Sequence, residues 1–323
     1  MHQRPRRNRK SENIRRMTEE TSVGLKDFIY PLFVSEVSEK SVSITSMPGI
    51  FRFGERGILN EIEACMKLGL TAFALFPHLP EKKKNKTASE SWNPKCLYLR
   101  TIKSIKLRFP EAVIMADTAM DPYSSDGHDG LVKEGKILND ASLPILARMA
   151  LAQAEAGADI IGPSDMIDGR IGYIRKELDE QGFQDVSLMA YTAKYASAFY
   201  GPFRDALESA PKSGDKKTYQ MNPANIREAL REAQLDTNEG ADFLMVKPAM
   251  AYLDVISLLR QHFQLPIAAY NVSGEYAMVK AAAERGWVNG KAIRDEILTG
   301  IKRAGADLIL SYFAKEWAAD QQK

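Results

Sequence analysis

Short, near-continuous apolar runs recur along this chain, and amphipathic stretches separate them. The runs cover residues 28–34, 72–76, 113–117, 160–163, 186–191, 243–247, 267–270 and 308–312. Each is about one strand long, and none alternates cleanly with polar residues, as expected of strands buried on both faces. Between them, apolar positions repeat with helical spacing over residues 58–68, 144–156, 223–239, 252–263, 274–285 and 291–304. Asn222-Pro223 reads as a cap followed by a first-turn proline for the helix of residues 223–239.

A three-residue echo reinforces the alternation. Gly157-Ala158-Asp159, Gly240-Ala241-Asp242 and Gly305-Ala306-Asp307 each close a helical stretch and lead into an apolar run, and Gly69-Leu70-Thr71 does so more loosely. The glycine supplies the left-handed conformation that ends a helix. Eight strand–helix units predict one (β/α)8 TIM barrel over residues 25–323, an α/β fold. The alternative is a doubly wound open sheet, but no glycine-rich phosphate turn follows the first apolar run.

Residues 1–24 precede the barrel. They hold the basic run Arg4-Pro5-Arg6-Arg7-Asn8-Arg9-Lys10 and few apolar residues, so they predict an extended arm. An arm of this kind is disordered, a nucleic-acid contact or a strap around a partner subunit. The chain's net charge of only +2 and its lack of any nucleic-acid motif argue against the second. Two cysteines, Cys65 and Cys96, are too few for a disulfide framework or a cysteine-rich zinc site, and they suggest a reducing, cytoplasmic setting. No apolar run is long enough for a membrane span, and the basic N-terminus lacks the apolar segment of a secretory signal.

Barrel chemistry sits at the C-terminal ends of the strands. Those ends carry Asp117, Ser164-Asp165, Lys194, Lys247, Ser273 and Tyr312. Two lysines after apolar runs are unusual. A buried ammonium loses hydration, and a second cation nearby lowers its pKa further, which frees a nucleophilic amine for Schiff-base chemistry. The plainer alternative for either lysine is a buried stem with its ammonium in a loop or paired to a carboxylate. The strand ends offer no redox-cofactor or phosphate site. The set suits carbonyl and amine chemistry on an acidic substrate.

Four strings then show a resemblance. Met245-Val246-Lys247-Pro248-Ala249, the segment from Lys194-Tyr195-Ala196-Ser197 to Phe203-Arg204-Asp205-Ala206, the segment Pro163-Ser164-Asp165 to Gly169-Arg170, and Tyr270-Asn271-Val272-Ser273-Gly274-Glu275 resemble the motifs of the porphobilinogen synthase (5-aminolevulinate dehydratase) family. The resemblance runs from the first strand to the C-terminus. It implies a hydro-lyase that condenses two 5-aminolevulinate molecules into porphobilinogen with loss of two waters, in the synthesis of tetrapyrroles (haem, chlorophyll, corrin). A class I aldolase would need only one such lysine. A non-enzymatic scaffold would leave both unexplained.

The resemblance also implies roles. Lys247 forms the Schiff base with the substrate of the propionate side, and Lys194 with that of the acetate side. Ser273 and Tyr312 hold the first substrate's carboxylate; Arg204, Lys216 and Gln220 hold the second's. The family often has arginine where this chain has Lys216. Asp117 is a candidate contact for the substrate amine. Phe199–Asp205 reads as a lid; otherwise Arg204 is an ordinary surface arginine. Where many members carry three zinc-binding cysteines, this chain has Ala119, Asp121 and Asp129. Two carboxylates and a methyl group suit hard cations or no tightly held metal, so no catalytic zinc is expected. His128, without a thiolate neighbour, reads first as a hydrogen-bonding loop residue. Glu232 matches a glutamate that binds a hydrated, activating Mg2+ near a subunit interface, with Asp165 and Arg170 around it; without the family it reads as a solvated helix residue. Assembly through the arm as a homo-octamer is the further implication.

Overall fold

The computed structural model describes residues 2–36 and 41–322. Eight parallel strands close on themselves: β1 (Phe28–Ser35), β2 (Ala72–His78), β3 (Val113–Thr118), β4 (Ile160–Pro163), β5 (Ser187–Lys194), β6 (Phe243–Lys247), β7 (Ile267–Asn271) and β8 (Leu308–Ser311). Each pairs with the next, and β8 returns to β1 through Phe28↔Ile309 and Ile29↔Leu310. Burial explains the run-like sequence, since every residue of β1 and of β7 is buried. Helices pack outside, and a short strand Phe51–Phe53 adds to the edge of β1 beside Phe33 and Val34.

The glycine–alanine–aspartate echo has a structural reason. Gly157, Gly240 and Gly305 have φ of 101°, 97° and 119°, the left-handed region that ends their helices. The aspartate then clasps the neighbouring strand at the bottom of the barrel. Asp159 accepts the Ile114 N–H at 2.7 Å, Asp242 that of Leu188 at 2.7 Å, and Asp307 that of Ile267 at 2.8 Å. Each aspartate's own N–H donates back to the same residue's carbonyl.

Two expectations change. The helix expected from residue 223 begins at Arg227 instead, after Ile226. Asn222 does not cap it: its carboxamide oxygen accepts the Ala224 N–H at 3.0 Å, and its carbonyl closes a turn with Asn225. Met221 just before it bridges back to Lys194 and Ala196, which fixes this segment over the barrel mouth. The arm is not featureless either, because Ser11 caps a short helix, Glu12–Met17, that buries none of its residues. Helices Leu97–Arg108, Arg170–Glu180 and Ala314–Asp320 complete the outer ring. Among the described residues no helix is long and apolar enough to cross a membrane.

Candidate active site

Lys194 and Lys247 end adjacent strands and are direct partners in the β5–β6 register. Both are buried, at 6% and 4% exposure. Between Leu244↔Ala190 and Val246↔Ala193, β5 contains one residue more than β6, so the ladder carries a bulge. The extra residue brings Tyr191 and Lys194 to the same cavity although they are three apart. Lys194 donates to the Ser164 carbonyl at the end of β4. The ammonium of Lys247 lies 4.6 Å from the Tyr270 ring, 4.9 Å from Phe203 and 5.2 Å from both Tyr191 and Tyr200. These rings exclude water. Burial first, and Lys194 second, push the Lys247 pKa down to about 7 against the pull of Asp117.

Phe203 and Tyr200 come from a lid over the barrel mouth, which includes the helix Gly201–Leu207. Phe203 packs between Phe33 and Phe76, with ring centroids 5.7 and 5.2 Å away. The lid rests on the start of helix Ser273–Glu284, where a Cβ on Gly274 would meet the Phe199 carbonyl oxygen at 2.5 Å, so only glycine fits. Ser273 Oγ accepts the Phe203 N–H at 3.0 Å and donates to the Phe199 carbonyl at 3.4 Å. At the far end of the lid helix, Arg52 donates to the carbonyls of Asp205 at 2.6 Å and Ala206 at 2.7 Å and meets Glu208 at 3.2 Å. These carbonyls are the unpaired ones at a helix C-terminus, where a cation is favoured.

The lid covers a cleft lined by Asp121, Lys194, Tyr200, Phe203, Arg204, Ser209, Lys216, Gln220 and Lys247. The structure therefore brings together both lysines and all three residues expected to hold the second carboxylate. Lys216 has further partners that its sequence did not indicate. Its ammonium lies 3.0 Å from Asp121 and 2.9 Å from Asp129, two of the positions that the resemblance compares with zinc-binding thiolates. Burial raises Asp121 and Asp129 reinforces it; burial also works on Asp129, but Lys216 holds that group below its ordinary value. Burial would lower Lys216, yet the two carboxylates raise it. Asp117 is pushed up to about 7 by burial and by Asp121, with the two lysines pulling the other way. Gln153 donates to the Asp117 carbonyl at 2.9 Å and accepts from Thr118 at 2.6 Å, which fixes this strand end.

Tyr312 follows β8 and shares a hydrogen bond of 2.9 Å with Tyr270, the last residue but one of β7. His128 is a loop residue engaged on both ring nitrogens, by Tyr219 Oη at 3.1 Å and the Ser213 carbonyl at 2.9 Å.

Glu232 stands apart from this cleft. It lines an open groove with Asp168, Arg170, Glu228 and Asp236. Arg170 is fully enclosed and bonded to Asp236 at 3.2 Å, with Asp165 3.8 Å away. Asp236 is the member of this group that the motifs missed. Burial pushes Glu232 up to about 7, with Asp236, Asp168 and Glu228 adding to it against Arg170. Among the described residues no three His, Cys, Asp or Glu side chains converge to hold a metal ion directly.

The aromatic wall, Tyr191, Tyr200 and Phe203, also escaped sequence reasoning. Only the bulge and the folded lid place these rings beside Lys247.

Fold and cleft together define a (β/α)8-barrel enzyme with a lysine pair at the C-terminal strand ends. The family model for delta-aminolevulinic acid dehydratase matches residues 2–320, and the chain belongs to that family. It is 56% identical over 313 residues to the chloroplastic delta-aminolevulinic acid dehydratase of Physcomitrium patens, covering 96% of this chain and 72% of the relative. It is 52% identical over 316 residues to the enzyme of Bradyrhizobium diazoefficiens, covering 98% and 90%. The porphobilinogen synthase of Toxoplasma gondii, solved with its product porphobilinogen, superposes with a TM-score of 0.97 at 50% identity, covering 99% of this chain and 91% of that one. This chain is accordingly a lyase that condenses two 5-aminolevulinate molecules to porphobilinogen in tetrapyrrole biosynthesis. The cytoplasmic placement expected from the cysteines is overturned, because the relatives from Physcomitrium patens, Glycine max and Chlamydomonas reinhardtii are named chloroplastic. Buried free thiols report only a reducing setting, which is not unique to one compartment.

Proposed function

We propose that Lys247 is the nucleophile of this reaction and that Lys194 binds the second substrate as a further imine. The observation that carries this is the in-register pair of buried lysines, one held near neutrality. The free amine of Lys247 adds to the ketone of one 5-aminolevulinate, and loss of water gives an imine. Lys194 does the same with the other molecule, so each ketone oxygen leaves as water. Asp117, poised near 7, can take a proton from one intermediate and return it to the next. Ser273 and Tyr312 offer hydroxyls to the first substrate's carboxylate. Arg204 and Lys216 offer cations to the second's, and Gln220 its amide. The closed lid excludes water, which protects the imines from hydrolysis.

Ala119, Asp121 and Asp129, at the positions compared with zinc-binding cysteines, do not fit zinc. Ala119 has no donor, and the Lys216 ammonium already lies between Asp121 and Asp129. The groove at Glu232 does suit a hydrated Mg2+. Its carboxylates crowd one another, and buried oxygens of Asp165 and Asp236 have no hydrogen-bond partner. Glu232 would hold the ion through one carboxylate, as Mg2+ commonly allows. The ion would neutralise the groove rather than join the chemistry. An exposed arm that buries none of its short helix supports assembly with other copies, as a homo-octamer. The names of the relatives support a plastid as the working compartment.

Borohydride added in the presence of 5-aminolevulinate should fix substrate mass on the peptide containing Lys247. Label found only on other peptides would refute the assignment.

A further inference from the structure

The groups proposed to grip the first substrate stand at three different strand ends. Lys247 ends β6, Ser273 follows β7, and Tyr312 follows β8. One buried chain of hydrogen bonds joins these three places. Glu275 Oε1 accepts the N–H of Met250, three residues past Lys247, at 2.8 Å. Its Oε2 accepts the Val272 N–H at 2.9 Å and the Asn271 side-chain amide at 2.8 Å. Asn271 Oδ1 then accepts the Ser311 hydroxyl at 2.9 Å, and Ser311 Oγ accepts the Phe313 N–H at 3.2 Å. Glu275, Asn271 and Ser311 are all fully enclosed, at 0% exposure.

The chain has one polarity. Every group that faces the Glu275 carboxylate is a donor, so the carboxylate accepts throughout and Asn271 passes the direction on to Ser311. A glutamate at this position would ordinarily cap its own helix, and the bond to Val272 does that. Capping does not account for the bond across to Met250 or for the relay through Asn271 to Ser311. The first joins the turn after β6 to the helix after β7 and the second joins β7 to β8, and each flanks a residue of the site by no more than three positions. A buried network satisfied at every member is rigid.

We infer that Glu275, Asn271 and Ser311 are positioning residues that fix the spacing between Lys247 and the Ser273–Tyr312 pair. The inference rests on the proposed assignment of those three residues to one substrate. Its probe is 4-oxopentanoate, which has the substrate's ketone and carboxylate but no amine and so reports on a single site. The readout is the concentration that gives half-maximal borohydride label on Lys247, a quantity independent of how much protein is folded. Glu275→Gln puts a donor where only donors converge, and the half-labelling concentration should rise on the order of tenfold or more. Ser311→Ala removes a single oxygen from the far end of the chain. It should shift the concentration in the same direction and keeps the test alive if Glu275→Gln does not fold. Glu284→Gln, on the same helix but outside the chain, should shift nothing. Lower melting temperatures with an unshifted half-labelling concentration would show a merely structural network and overturn the inference. Absence of label on Lys247 in the unaltered protein would instead overturn the nucleophile assignment beneath it.

Discussion

Lys247 is in register with Lys194 across neighbouring parallel strands, yet the two amines meet different surroundings. Lys194 reaches the Ser164 carbonyl, whereas four aromatic rings wall in Lys247. Of the two proposed imine-forming amines, Lys247 is thus the one whose pKa is lowered by what it is denied.

That denial should be measurable as stability. The folded protein releases the Lys247 proton near 7, the unfolded chain only near 10.5. Below 7 both states hold the proton and the folded state bears the whole cost of burying it. Between those values the unfolded state binds more protons, so stability rises with pH. Lys247→Met should abolish turnover and raise stability by about 1–4 kcal/mol. The gain should be largest below pH 7 and shrink toward 10.5, as followed by urea unfolding across pH. A gain that does not vary with pH would contradict the shifted lysine. Turnover of the unaltered enzyme should also rise through about pH 7 as the amine is freed.

Lys216 pairs with two buried carboxylates, so its removal should affect stability as well as the substrate binding proposed for it. Lys216→Met strands Asp121 and Asp129 and should cost about 3–5 kcal/mol. Adding Asp121→Asn should recover part of that loss, because the pair is coupled. Simple additivity of the two changes in denaturant unfolding would argue against the pairing. A zinc-selective chelator should leave the rate nearly unchanged; activity lost on chelation and restored only by zinc would reveal another zinc site.

Arg52 holds the end of the lid helix through two carbonyls and Glu208. Arg52→Ala should let the lid open more often, raising KM roughly tenfold and hastening proteolysis within residues 201–215. Arg52→Lys should fall between, since lysine lacks the planar fork. Unchanged proteolysis would show that the lid is held elsewhere.

Burial pushes Glu232 up to about 7, so an Mg2+ ion bound there, as proposed, would have to displace its proton. Stimulation by Mg2+ should therefore grow as pH rises through 7 and should vanish in Glu232→Ala. Under the proposed arm-built assembly, removal of residues 2–20 should produce smaller species in sedimentation and weaken any response to Mg2+, since assembly and ion binding would be linked reciprocally. An unchanged sedimentation coefficient would rule out a role for the arm in assembly.

Most of the barrel was legible because burial on both faces leaves an unbroken apolar run, as at residues 243–247, and because Gly–Ala–Asp marks helix-to-strand turns. The lysines were legible for the same reason: a charge that closes an apolar run stands out from its neighbours. The helix start at Arg227 was hidden because Asn222-Pro223 makes a turn with the same residues that would make a cap. The bond from Lys216 to Asp121 and Asp129 spans about ninety residues and depends on the lid's path, which local pattern does not carry. The relay from Glu275 to Ser311 was invisible for a related cause, since each member has an ordinary local explanation.

The three aspartate clasps recur on alternate seams: β3 with β4, β5 with β6, and β7 with β8. The barrel is thus riveted in pairs of strands at the end opposite its chemistry. Such pairs are natural units of partial opening, and deuterium should enter the amides of Ile114, Leu188 and Ile267 late, each in step with the strand it is fastened to. Fluctuations that admit substrate and release product at the mouth can then proceed above a base that stays shut.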